Sequence, residues 1–337
     1  MIPVSIICPT YNEEKYIVKC IESLIAQDIA KDEIELLFID GGSTDLTLKL
    51  IKEFQHQHKF IKLLNNSDKT VPYAMNIGIE QSVGDILIRI DAHSYYPENY
   101  ISTLVSKLIE MKADNVGAIC KTDVLNKNSK TIAIKEVLSN PFGVGNSLFR
   151  LGVSEITEVD TVPFGCYRKE VFTKYGLYNT KLVRNQDIEL NKRIKRGGGK
   201  IYLIPDTYCV YYAREKYREI IKNNYLNGKW NILTIYITKT FNSLSVRHFV
   251  PMFFLLSLLI PLLAVGINFQ FLYLAILSMT LYLGLIIVIS FKIFMNKKIN
   301  FGYLLITFML LHMSYGFGSL IGLLSIPFQK NIITRNA

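Results

Sequence analysis

At 337 residues the chain has room for about two domains. Half of its residues are hydrophobic and its mean hydropathy is positive, which is high for a soluble protein and points to membrane segments. Residues 1–213 balance 26 basic against 26 acidic residues, while 214–248 carry 7 and 2 and 249–337 carry 5 and none, so the net +10 belongs to the membrane-facing part and selects anionic lipid over nucleic acid as the partner.

The five cysteines (Cys8, Cys20, Cys120, Cys166 and Cys209) are scattered without paired spacing. They read as small core residues of a reduced compartment, not as a disulfide frame or zinc site. No signal peptide is expected, because the first apolar run, Val4–Cys8, is short and follows no basic region.

Val4–Cys8 is predicted as a buried strand leading into Pro9-Thr10-Tyr11-Asn12-Glu13-Glu14. A helix follows, with Ile17, Ile21, Leu24 and Ile25 on one face. Glu35–Asp40 is the second strand and ends in Gly41-Gly42-Ser43-Thr44-Asp45. The glycines permit a tight turn, and Ser43 or Thr44 is expected to cap a helix running to about His58. Ile61–Leu64 is a third strand, Val71–Ser82 a third helix, and Ile86–Asp91 a fourth strand that ends in Asp91-Ala92-His93. This alternation with short loops predicts an α/β domain, a mostly parallel sheet covered by helices on both faces. Polar clusters then fall at successive strand ends, along the edge where ligands collect in such sheets.

A helix near Pro97–Met111 and a strand near Val116–Lys121 continue the pattern. Asn140–Gly152, rich in Gly and Asn, is expected to be a mobile loop. Val162–Arg168 reads as an extended segment entering a short helix at Lys169–Lys174, and Leu182–Leu190 leads into a basic helix that stops at Gly197-Gly198-Gly199. Asp187 falls at that helix start, where capping competes with catalysis as its role.

Residues 214–248 are expected to form an amphipathic interfacial region, with Tyr217, Ile220, Ile221 and Tyr225 on one stripe; packing on the preceding domain is the alternative. The uncharged runs 249–267, 271–291 and 301–328 are about long enough to span a bilayer. Gly318 and Gly322 in the last run suit a close helix contact. Lys292, Lys297 and Lys298 place the loop between the last two runs, and with it domain 1–213, in the cytoplasm. The expected protein is thus a multi-pass component of the cytoplasmic membrane.

Exposed N–H groups and carboxylates at strand ends suit a nucleotide. Asp91 and His93, two residues apart in extended backbone, point the same way and can share a divalent cation held against a diphosphate. An imidazole in the pair shifts preference from Mg²⁺ toward Mn²⁺. Read alone, Asp91 is equally a turn cap and His93 a surface histidine. Lys69 is placed to neutralise a phosphate, or is simply a solvated charge.

Pro9–Glu13, Asp40–Asp45 and Asp91-Ala92-His93, followed by Val162–Arg168, Leu182–Asn191 and three apolar runs, resemble the family 2 glycosyltransferases of GT-A fold. The order of segments is similar to the subgroup typified by the succinoglycan-biosynthesis glucosyltransferase. The resemblance implies that Thr10, Tyr11, Glu13 and Asp40 hold uridine, that Lys69 lies near the diphosphate, and that Asp91 and His93 hold Mn²⁺ or Mg²⁺. Asp187 takes the place of the catalytic base, and Gly165, Arg184 and Gln186 become acceptor-side candidates. Two departures stand out: Gln186-Asp187 replaces the commoner Glu-Asp, and His93 replaces a second Asp. Glu189 is the rival base, but two helical residues rotate it about 200° away from Asp187.

The implied reaction is an inverting transfer of one sugar, glucose first, from a UDP-sugar to a lipid-linked (polyprenyl diphosphate) saccharide in exopolysaccharide or cell-surface polysaccharide synthesis. A processive synthase is disfavoured because Leu226-Asn227-Gly228-Lys229-Trp230 lacks the Gln-x-x-Arg-Trp grip. The same motifs also allow a polyprenol-phosphate glycosyltransferase or an inactive nucleotide-sugar-binding scaffold.

Overall fold

The computed structural model describes residues 3–240 and 246–328. It divides into two compact units, one of Met1–Lys121 with Leu148–Tyr212 and one of Thr122–Ser147 with Ala213–Ala337.

The first unit is built on a mixed sheet. Strands β1 (Val4–Thr10), β2 (Ile34–Asp40), β3 (Ile61–Asn65) and β4 (Ile86–Arg89) lie side by side in the order β3-β2-β1-β4, all parallel. β1, β2 and β4 are almost wholly buried, as expected of strands covered on both faces. Helices α1 (Ile17–Ile25), α2 (Thr47–Gln57) and α3 (Val71–Gln81) supply three of the crossovers, and α1 buries Ile17, Ile21 and Leu24. Gly78 of α3 sits so close to the sheet that a Cβ there would lie 2.4 Å from the Ile7 side chain.

Beyond β4 the sheet turns antiparallel, which corrects the expectation of a mostly parallel sheet. Strand β8 (Cys166–Arg168) runs antiparallel between β4 and β6 (Asn115–Asp123). Next in order is the long β9 (Ile201–Tyr212), which also pairs β5 (Ser94–Tyr95) and β7 (Thr157–Glu158). Helix α4 (Tyr100–Glu110) buries Tyr100, Ile101, Leu104 and Leu108 in the core on one side of the sheet. On the other side, α8 (Glu170–Tyr175) and α9 (Gln186–Arg196) bury Val171, Phe172, Leu190 and Ile194 with α3. All five cysteines are buried free thiols.

Two local expectations are revised. Ser43 and Thr44 do not cap α2; the helix starts after Leu46, and Asp45 Oδ1 accepts the Thr47 N–H (3.0 Å). Nor is Asn140–Gly152 one loop. It contains the single-turn helices α6 (Pro141–Val144) and α7 (Leu148–Leu151), and the first is started by Asn140 Oδ1 accepting from Phe142 N–H, with Pro141 at the first helical position.

In the second unit, α5 (Ser129–Val137) opens with a full capping box between Asn128 and Thr131 and buries Ala133 and Val137 beside Leu304, Phe308 and Leu311. α6 is tied to the same neighbourhood by His312 Nε2, 2.7 Å from the Phe142 carbonyl.

Helix α10 (Tyr217–Thr238) and helix α13 (Phe301–Ser325) run in the same direction at backbone contact. Tyr217 bonds Thr307, Tyr225 carbonyl faces Gly318, Gly228 faces Tyr315 and Ser319, and Lys229 faces Gly322. The small residues at 318 and 322 therefore do mark a close contact, and their partner is α10. Helix α11 (Val250–Ala264) is 15 residues long and carries Pro261, whereas α12 (Phe271–Lys297) has 27 residues. Two helices, Phe271–Lys297 and Phe301–Phe328, are long and apolar enough to cross a membrane; the first of the three expected runs is too short among the described residues.

Candidate active site

Three groups of residues, all in the first unit, lie at the ends of β1, β2 and β4 or against them. The first is made by β1, β2 and β3. Thr10 and Asp40 are paired in the β1–β2 ladder, Gly41 N–H donates to the Thr10 carbonyl, and Asn66 N–H donates to the Asp40 carbonyl. The Asp40 carboxylate accepts from the N–H groups of Gly42 (2.8 Å) and Ser43 (2.9 Å) and from the Ser43 hydroxyl. It thereby folds its own turn, with Gly42 at φ 81°, where a glycine is favoured.

Lys69, also left-handed at φ 60°, lays its side chain beside Gly42. Tyr11 is 53% exposed next to this turn, while Thr10 is buried and donates to the Cys8 carbonyl (3.0 Å). Asn12 stitches the two loops together by donating to Ser43 Oγ and accepting from Thr44 N–H. Thr10, Asp40 and Lys69 thus lie together around the Gly41-Gly42 turn, with Tyr11 on the adjoining loop.

The second group follows β4. Asp91 is partly exposed, and its backbone is fixed from below by the Tyr96 hydroxyl. His93 is buried between the rings of Tyr16 and Tyr211. Its Nδ1 lies 3.0 Å from Glu13 Oε1 and 3.7 Å from Asp91 Oδ1. Burial opposes the imidazolium, but Asp91, Tyr211 and Glu13 together carry the His93 pKa well above its ordinary value. Glu13 is thus turned toward His93, an arrangement that its place in the Pro9–Glu14 run does not announce.

The resemblance implies a divalent cation, and Asp91 and His93 offer two donors that fit one. His93 Nε2 is buried without a partner, its other nitrogen is taken by a carboxylate, and Asp91 stands beside it. Among the described residues no three acidic, His or Cys side chains gather to enclose an ion, so oxygen ligands from a diphosphate and water would complete the shell.

The third group lies on β4, β8 and α9. Asn185, left-handed at φ 61°, turns the chain into α9, and Asp187 stands in that helix's first turn. The helix is locked by Asn191, buried and hydrogen-bonded to Asn115, Thr161 and the Val162 carbonyl. Asp187 Oδ1 accepts the Ile188 N–H (2.9 Å), and Oδ2 faces Arg89 Nη1 at 3.6 Å. Glu189, the rival base, is buried and held by two bonds to Arg193 (3.0 and 2.9 Å).

Gln186 is buried with Oε1 unpartnered, and Arg184 is half-buried just before the helix. Gly165 answers a packing need: a Cβ there would lie 2.4 Å from both Asn115 and the Tyr167 ring. Sequence reasoning misses Arg89, although a charge inside the apolar run Ile86–Ile90 is a visible signal.

A sheet whose parallel half ends in a nucleotide-type turn, a carboxylate–histidine pair and a carboxylate at a helix start is that of a GT-A glycosyltransferase. The family model for glycosyl transferase family 2 matches residues 5–176, and the chain belongs to that family. It is 33% identical over 263 residues to a Methanococcus voltae dolichyl N-acetyl-alpha-D-glucosaminyl phosphate 3-beta-D-2,3-diacetamido-2,3-dideoxy-beta-D-glucuronosyltransferase, covering 76% of this chain and 81% of that protein. It is 29% identical over 214 residues to the succinoglycan biosynthesis protein ExoA of Rhizobium meliloti, covering 63% of each. A crystal structure of an S. aureus TarS fragment in complex with UDP-GlcNAc shares the fold at a TM-score of 0.50 and 20% identity, over 68% of this chain and 66% of that one. The protein is a glycosyltransferase.

Proposed function

We propose that the protein moves a single sugar from a UDP-sugar, with UDP-glucose the first donor to test, to a lipid-linked saccharide in cell-surface polysaccharide synthesis. The observation that carries this reading is that Asp40, Asp91–His93 and Asp187 lie at the ends of β2 and β4 or against them in a family 2 fold. Thr10, Tyr11 and Asp40 bind the uridine, and Lys69 neutralises phosphate charge. Asp91 and His93 hold the divalent cation that GT-A enzymes of this family generally use, which when bound offsets the charge of the departing diphosphate.

Asp187 takes the proton of an acceptor hydroxyl as that oxygen bonds to the anomeric carbon. The bond from that carbon to UDP breaks, and UDP leaves with the electron pair. One displacement inverts the anomeric centre. Gln186 and Arg184, flanking the base, face the acceptor.

A lipid-linked acceptor is supported by the dolichyl-phosphate saccharide in the name of the Methanococcus relative. It is also supported by α12, on which Leu274, Leu277, Leu281, Leu285 and Val288 are all exposed. So much uncovered apolar surface calls for lipid. With Lys297 and Lys298 closing α12, that end and the N-terminal domain are assigned to the cytoplasm. Residues 214–240 and 246–248 are assigned to the membrane-associated part of the chain, with α10 seated along α13; residues 241–245 lie outside the described residues.

The test is a panel of nucleotide sugars offered to membranes containing the full chain, reading UDP release and lipid-extractable product together. Metal-dependent release with a glycolipid product, lost in Asp187→Asn, is expected. Equal transfer to soluble sugars would remove the lipid acceptor, and no release with any donor would return the chain to a binding scaffold.

A further inference from the structure

Arg89 occupies a position where charge is expensive. It lies at the end of β4, is 8% exposed, and interrupts a run of aliphatic residues. A buried guanidinium persists in such a place only when paired. Its backbone is fixed by donation to the Gly165 carbonyl (3.0 Å), and the Phe164 ring lies 6.0 Å from the guanidinium carbon. Yet Nε and Nη1 are shut off from solvent with no hydrogen-bond partner. The one carboxylate at ion-pair distance, among the described residues, is Asp187.

We propose that Arg89 is the positioning residue of the catalytic carboxylate. Asp187 Oδ1 is held by the first turn of its own helix, and Oδ2 faces the buried guanidinium of Arg89, 3.6 Å from Nη1. The two contacts orient the carboxylate. Arg89 ends β4, and Asp91 follows it two residues on in the loop, so the two halves of the site are joined by a short stretch of chain.

This inference rests on Asp187 being the base, so the experiment separates the two. Asp187→Asn, Arg89→Gln, Arg89→Lys and the corresponding double variants are prepared as full-length protein. UDP binding is followed by calorimetry and transfer by radiolabelled donor. Arg89→Gln is expected to bind UDP as wild type does and to lose about 100-fold in kcat, within the range of general-base effects, with donor KM changed less than about threefold. In the Asp187→Asn background the same change adds less than about threefold, because the two residues act as one unit.

Where the glutamine variant does not fold, Arg89→Lys carries the test. It keeps the charge but not the fork, and is expected to lose roughly tenfold alone and nothing further beside Asp187→Asn. Losses that multiply in the double variant, a folded Arg89 variant that no longer binds UDP, or one with full kcat would each overturn the proposal. Full transfer by Asp187→Asn alone would instead overturn the assignment of the base.

Discussion

Glu13 and His93, eighty residues apart in the chain, meet at 3.0 Å, one following β1 and the other following β4. A carboxylate on one imidazole nitrogen fixes the tautomer and aims the other nitrogen, the usual support for a metal-binding histidine. Glu13→Gln is therefore expected to weaken Mn²⁺ binding by about 10- to 100-fold. UDP affinity measured in chelator is expected to stay unchanged. Titration of free Mn²⁺ by electron paramagnetic resonance, alongside calorimetry with UDP, checks both. A drop in metal-free UDP affinity with unchanged Mn²⁺ binding would move Glu13 to the uridine.

The two acids of α9 predict opposite phenotypes. Glu189 is consumed by Arg193, which also donates to the carbonyls of Tyr175 and Leu177, so this pair fastens α9 to the end of α8. Glu189→Gln is expected to cost about 1.5–3 kcal/mol of stability, the worth of hydrogen bonds to a charged group, and to leave transfer largely intact. Asp187→Asn is expected to keep its stability and UDP affinity while transfer falls by about 10²–10⁴-fold. Thermal melts paired with initial rates distinguish them, and the reverse assignment of losses would make Glu189 the base.

What is legible in the sequence follows from periodicity. β1, β2, β3 and β4 with their helices are readable because an apolar run ending in polar residues has one outcome in a covered parallel sheet. The antiparallel half is not. β8 is three residues long and holds its place only by pairing with β4 and β6, while β9 mixes buried and half-buried positions without a clean alternation. Asp40, Asp91, His93 and Asp187 stand out as candidates because strand ends and helix starts are local features. Glu13 facing His93, and Arg89 facing Asp187, are contacts across 80 and 98 residues that no local pattern encodes. Likewise the stripe Tyr217, Ile220, Ile221 and Tyr225 does not announce that α10 seats on α13, a contact made through Gly228 on α10 and Gly318 and Gly322 on α13.

Acid sensitivity is predicted at Glu35. This buried carboxylate accepts from Ser5 Oγ, Val83 N–H and Lys62 Nζ, joining β2 to β1, to β3 and to the turn before β4. Burial alone would raise its pKa, but the Lys62, Ser5 and Val83 bonds outweigh it and hold the group below the ordinary carboxylate range. A depressed folded-state pKa contributes stability that is complete above the unfolded value and disappears as pH falls through the folded one. Glu35→Gln is expected to lower the melting temperature at pH 7, and to bring mutant and wild type together as pH drops below about 4, near the unfolded carboxylate range. Melting curves from pH 7 to pH 3 check this, and a constant gap across that range would show that Glu35 does not titrate with folding.

The seam between α10 and α13 makes the final prediction. A Cβ on Gly318 would fall 1.9 Å from the Tyr225 carbonyl oxygen, and one on Gly228 2.0 Å from that of Tyr315. Both obstacles are backbone, so no side-chain rotation relieves them. Gly284, on α12, has nothing within 4 Å of the same position and serves as the control. Gly318→Ala and Gly228→Ala are each expected to destabilise the detergent-solubilised protein by about 1–3 kcal/mol or more, the usual cost of overpacking. Gly284→Ala is expected to be neutral or slightly stabilising, since alanine is the better helix former. Thermal unfolding in detergent gives the ranking directly. Equal behaviour of all three variants would mean that α10 and α13 do not meet at these glycines.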